Sequence, residues 1–154
     1  MIQRKQTLYL LIVVVLLVLT MSLPLGKYLA SDHEIVLTAF TISETGGGAV
    51  TGNLTLGILA VFAALVPLVN IFLYKRRMLQ VRLCFVEFVL LAGLQGFVVW
   101  FLLFAKDKLA DLGEVSVVYA VPAIFPLVCI VFVWLALRGI MKDEALIRSM
   151  NRIR

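Results

Sequence analysis

The chain has 154 residues, of which 63% are hydrophobic and 15% charged, with a mean hydropathy of +1.10 and a net charge of +5. Soluble domains average about 45–50% apolar and about 25% charged residues, so a water-soluble fold of this length cannot hide this much apolar surface, whereas a bilayer can. The basic residues lie in short clusters between apolar runs rather than along one face, which is the pattern of membrane flanks and not of a nucleic-acid interface.

Residues 6–26 carry no charge and are long enough to span a bilayer core at 1.5 Å rise per residue. Arg4 and Lys5 resemble the start of a signal peptide. Such peptides, however, have an apolar core of about 7–15 residues followed by small residues at the cleavage site. Here the run is longer, and Tyr28-Leu29-Ala30 sets a tyrosine where a small residue is needed. A retained first helix is therefore the reading, ended by Pro24 and Gly26.

Residues 27–53 form the longest polar stretch. Within it, 34–43 is rich in β-branched residues and partly alternates, with Val36, Thr38, Phe40 and Ile42 on one side, as a strand does. Gly46-Gly47-Gly48 reads as a turn and Ala49-Val50-Thr51 as a return strand, giving a hairpin over 34–51. A lone hairpin is marginal in water, so it must pack on helix ends or on a partner. His33 lies between Asp32 and Glu34, too few ligands for a metal site, and Asn53-Leu54-Thr55 matches a glycosylation triplet of low specificity.

The second span is read over 54–74, with Gly57, Ala60, Ala63 and Ala64 offering surfaces for close helix approach. Lys75-Arg76-Arg77 and Arg82 enclose a short helix-to-helix link. The third span, 83–105, carries Glu87, Gln95 and the pair Gly93/Gly96. A charged loop follows over 106–114. The fourth span, 115–137, holds Pro122 and Pro126, which predict a kink in its first half. In the tail, 138–154, Leu146, Met150 and Ile153 share one helical face and Glu144 can pair with Arg148. That pattern predicts an amphipathic helix on the membrane surface.

Lysine and arginine set the orientation. Eleven of them flank the ends that hold both termini and the 75–82 link, and only Lys27, Lys106 and Lys108 flank the opposite ends. The bias predicts cytoplasmic termini. Tyr9, Tyr74 and Trp134 fall near the inner boundary, and Tyr28, Trp100 and Tyr119 near the outer one, as an aromatic belt requires. The predicted architecture is an all-α, four-helix membrane bundle forming one domain over 1–154, with an outward hairpin.

The two ends of the chain, MIQR-x-QT-x-YL at 1–10 and KDE-x-L-x-RS-x-x-R-x-R at 142–154, with four spans between them, resemble a bacterial membrane family known as domain of unknown function 4293. The resemblance covers essentially the whole chain. It implies a four-helix inner-membrane protein of Gram-negative bacteria and carries over no activity or catalytic residue.

No phosphate-binding loop, nucleophile elbow, zinc-protease helix or C-x-x-C motif is present. Cys84 and Cys129 both fall inside apolar runs and read as small buried hydrophobes. The sequence thus points away from an enzyme and calls for no catalytic residue, metal or cofactor. What stands out is the set of polar groups inside the spans. Asn70 and Glu87 lie about four residues from the facing ends of spans two and three, hence roughly 6 Å inside the same boundary. The expectation is that Glu87 is hydrogen-bonded by Asn70 or paired with Arg82 or Arg77, and that Gln95 extends the polar stripe inward. An ionisable group in a span is a functional candidate, and a structural clip between two helices is the simpler role. The reading that follows is a scaffold or accessory subunit of a membrane complex. It would meet the bilayer, and a protein partner through the hairpin 34–51 or the tail 138–154, or a second copy of itself. The alternative is a small transporter or ligand-binding protein using Asn70, Glu87 and Gln95.

Overall fold

In the computed structural model, residues 3–30, 33–44, 49–52, 54–73, 76–110 and 116–151 are described. Four α-helices account for most of them: α1 (Gln3–Ser22), α2 (Leu54–Phe72), α3 (Arg77–Ala110) and α4 (Phe125–Asn151). Helix α1 packs against α2 and α4, and α3 packs against the same two, so the four close into a ring.

Each helix turns a narrow seam inward. Buried positions run Gln6, Leu10, Val13, Leu17 and Thr20 on α1, and Gly57, Ala60, Ala63, Pro67 and Asn70 on α2. On α3 they are Gln80, Cys84, Glu87, Leu91, Leu94, Val98 and Leu102. Steps of three and four residues put these positions on one face of each helix, and the small residues of α2 let backbones approach closely. The outside is apolar as well. Leu54, Phe62, Phe72, Val89 and Ile124 are all more than half exposed, far more apolar surface than a soluble monomer presents. Helices α2, α3 and α4 are each long and apolar enough to cross a membrane, and α1 contributes a shorter apolar stretch, Gln6–Ser22.

A five-stranded antiparallel sheet closes one end of the ring. Its strands are β1 (Gly26–Ala30), β2 (His33–Leu37), β3 (Thr41–Glu44), β4 (Ala49–Gly52) and β5 (Ser116–Tyr119), in the order β4-β3-β2-β1-β5. Alternation along the strands sends Tyr28, Ile35 and Leu37 into the core, while Lys27 faces out and bonds Glu34 at 2.8 Å.

Three contacts seat the sheet on the helices. The Tyr28 hydroxyl donates to the Leu102 carbonyl at 2.8 Å. A Cβ at Gly26 would come within 2.8 Å of Leu102 Cδ2, so a larger residue there would have to displace the Leu102 side chain. The Phe40 ring, at the tip of the β2–β3 turn, fills the space where a side chain at Gly57 would stand.

Several boundaries differ from the sequence reading. The expected strand 34–43 is two strands, because Thr38 and Thr41 bond across a tight turn: the Thr38 amide donates to the Thr41 carbonyl at 2.9 Å and the Thr41 amide to the Thr38 hydroxyl at 3.0 Å. The hairpin 34–51 is therefore part of a larger sheet. Residues 116–119, assigned to the fourth span, pair with β1 as β5, Gly26 opposite Tyr119. Pro122 lies in a 3-10 turn (Val121–Ile124) and Pro126 in the first turn of α4. Both positions need no helical N–H partner, so the prolines start the helix instead of kinking it.

Helix α3 begins at Arg77, not at 83, and takes in Arg82; it also continues through 106–110, where a loop was expected. Helix α4 runs unbroken to Asn151, so the tail extends the fourth helix and forms no separate helix on the membrane surface. The glycine turn 46–48, Asn53 and Tyr74 lie outside the described residues, as does the Arg148 side chain.

Candidate functional site

The polar groups in the ring fall into three sets. The first joins α2 to α3. Asn70, 1% exposed, donates from Nδ2 to the Gln80 carbonyl at 3.4 Å and to Cys84 Sγ at 3.3 Å. Gln80 replies with Nε2 to the Asn70 carbonyl at 3.0 Å. This reciprocal bridge is the clip between the two helices, and Glu87 is not in it. The sequence placed Gln80 in a link between helices. Because α3 starts a turn and a half earlier, Gln80 sits on the inward seam one turn before Cys84 and meets Asn70.

The second set is centred on Glu87. It is 1% exposed, and neither carboxylate oxygen has a hydrogen-bond partner among the described residues. It lies within electrostatic range of the thiols of Cys84, one turn away on α3, and Cys129 on α4. The expected pairing with Asn70, Arg77 or Arg82 is absent. Asn70 Oδ1 and Gln95 Oε1 are likewise buried without partners; Gln95 itself is half-buried, on the flank of the seam. Arg82 is exposed, and the half-buried Arg77 has an Nη1 with no partner among the described residues. A dehydrated ionisable group carries a large cost unless it is paired, and its presence at this depth marks it for attention.

The third set was not foreseen. Gln6 Nε2 donates to Asp143 Oδ2 at 2.7 Å, tying the start of α1 to the last third of α4. Gly139 makes the room: a Cβ there would stand 3.1 Å from Gln6 Cγ. Gln6 belongs to the QT of the N-terminal motif and Asp143 to the KDE of the C-terminal one, so the two terminal motifs meet in space.

Outside the membrane-type helices, burial and secondarily the charge of Tyr119 push the Tyr28 phenol up to about 12. Tyr28 is an anchor for the sheet, not a lipid-facing belt residue. Trp134, by contrast, is exposed and carries the Arg138 guanidinium over its ring at 5.5 Å. Gly93 and Gly96 face outward, with nothing within 4 Å of a built Cβ, so they make no helix contact inside the chain.

Long apolar helices, a lipid-type exterior and a sealed polar interior define a helical protein of membrane type. The chain belongs to the family described as "Domain of unknown function (DUF4293)", whose model matches residues 2–153. No curated protein matches the chain.

Proposed function

We propose that the protein is a scaffold or accessory subunit of a complex in the bacterial inner membrane, crossing it four times with both termini in the cytoplasm. The apolar stretch of α1, Gln6–Ser22, rises about 26 Å at 1.5 Å per residue, close to the roughly 30 Å core, and it packs beside three longer helices. The concentration of lysine and arginine at the ends away from the sheet supports the orientation.

The observation that carries the scaffold reading is the seal around Glu87, which is 1% exposed inside a closed ring of helices. A pathway would bring water or cargo to that carboxylate. With it sealed, the surfaces left for work are the outward sheet, whose edge strands are β4 and β5, and the extension of α4 beyond the bundle. No catalytic step is part of the proposal.

Purification in mild detergent, with identification of whatever co-purifies in stoichiometric amount, tests it. The reading expects a protein partner, and a lone monomer contradicts it. A second reading, a small transporter or ligand-binding protein, draws on the unpartnered oxygens of Glu87, Asn70 and Gln95. Glu87→Gln separates the two. Folding and accumulation stay as they are for a structural group, whereas an ion- or proton-coupled activity is abolished.

A further inference from the structure

Helix α3, 34 residues long, extends about 51 Å, well past a hydrocarbon core of roughly 30 Å, and α4 with 27 residues also overshoots it. At the end opposite the sheet, their projecting turns part and leave a groove of about 690 Å³ lined by Arg76, Arg77, Met78 and Ile147 among others. A second hollow of about 300 Å³ adjoins it, sharing Met78 and Glu144 and reaching Val81 and Met141. Together they fall in the size range of small-ligand sites.

The lining is graded along the helix axes. Arg76 and Arg77 lie at the outer end, while Met78 and Val81 on α3 and Ile147 and Met141 on α4 give mainly apolar walls nearer the bundle, interrupted by Glu144, which lines both hollows. Met78 and Met141 are both about half exposed, so apolar surface is open to an occupant. At the head end, Arg77 Nη1 is buried with no acceptor among the described residues, a donor free of those groups for a charged hydrogen bond. Arg77 also opens α3, which adds the positive end of that helix dipole to the same corner. Glu144 is the carboxylate on this lining, against two guanidinium groups.

A charged head above an apolar slot has the shape and polarity of one class of molecule. We propose that this groove binds an anionic phospholipid, its phosphate held by Arg76 and Arg77 and an acyl chain lying along Val81 and Met141. Basic pockets between helices at the cytoplasmic boundary suit such headgroups. That the lipid comes from the cytoplasmic leaflet rests on the orientation proposed above.

The test is titration of the delipidated protein in nonionic detergent with dioleoyl phosphatidylglycerol or dioleoyl phosphatidylcholine, read by native mass spectrometry and by the shift in Tm. The groove expects phosphatidylglycerol to bind at least about tenfold more tightly. The preference disappears in the double variant Arg76→Gln/Arg77→Gln and survives in Arg82→Gln, which removes a positive charge on the exposed side of α3. Met141→Glu weakens phosphatidylglycerol binding with both arginines intact.

Equal binding of the two lipids in the wild type, which needs no variant to fold, overturns the proposal. So does a preference that persists in the double variant, or equal stabilisation by inorganic phosphate alone. The titration requires neither a protein partner nor a defined orientation. Its failure leaves the scaffold reading standing, and a partnerless monomer would leave the lipid site standing.

Discussion

The two ends of the bundle are built on different principles. At the sheet end, backbone pairing does the closing: five strands hydrogen-bond in series, and Tyr28, Gly26 and Phe40 fix them to α3 and α2. At the other end there is no sheet among the described residues. Side chains join helix to helix, Asn70 to Gln80 and Gln6 to Asp143, and the projecting turns of α3 and α4 stand apart around a groove. Backbone pairing is exhaustive and leaves little surface unsatisfied, whereas side-chain clips fix single points and leave space between them. The sheet end is closed by backbone pairing, and the clipped end is where a ligand finds room.

The largest effect should come from breaking the closed end. Gly57→Leu puts a side chain where the Phe40 ring packs, and overpacking of this sort costs about 1–3 kcal/mol. A fall in Tm in detergent, partly restored by adding Phe40→Ala, is the expected outcome; an unchanged Tm would show that the turn is not seated on α2.

Tyr28→Phe comes next, at about 1 kcal/mol, because it removes the hydroxyl that donates to the Leu102 carbonyl across the sheet–helix contact. The same residue gives the sheet end a pH limit. The phenol titrates at about 10 in the unfolded chain and at about 12 in the fold. Between those values the unfolded chain has released the proton and the fold still holds it, so stability is fully present below pH 10 and falls as pH rises toward 12. Tyr28→Phe removes that slope, and thermal melts across the interval read it.

At the clipped end, Asn70→Ala and Gln6→Ala should each cost about 0.6 kcal/mol, the usual worth of a side-chain hydrogen bond between membrane helices. Losses as large as that of Gly57→Leu would erase the contrast between the ends. Smallest of all, Gly93→Ala and Gly96→Ala should leave monomer stability within about 0.5 kcal/mol, since a methyl at either site meets no atom of the chain. A marked change would place another subunit on that face.

The helices were legible because apolar run length speaks directly to a bilayer. Their ends were not, because 77–82 and 106–110 contain polar residues that are good helix formers and simply continue α3. Strand β5 was hidden for a related reason: Ser116–Tyr119 reads as the start of an apolar helix, and only its pairing with β1, far away in sequence, makes it a strand. That Asn70 and Glu87 lie within neighbouring helices was readable from the apolar runs, but their partners were not. An error of six residues in the start of α3 hid Gln80, and with it the acceptor and donor that Asn70 uses. The terminal motifs were visible as patterns, yet nothing local in either one says that Gln6 and Asp143 touch.

The central claim is that the ring around Glu87 is sealed. Cys84 and Cys129, the two cysteines of the chain, are both buried in the same interior and within electrostatic range of that carboxylate. Reaction of the folded protein in its native membrane with a water-soluble maleimide measures the seal directly, with Lys27→Cys on the exposed face of β1 as the positive control. The seal predicts that neither native thiol is labelled until the protein is denatured; labelling of Cys84 or Cys129 in the folded protein would show water at Glu87 and contradict it.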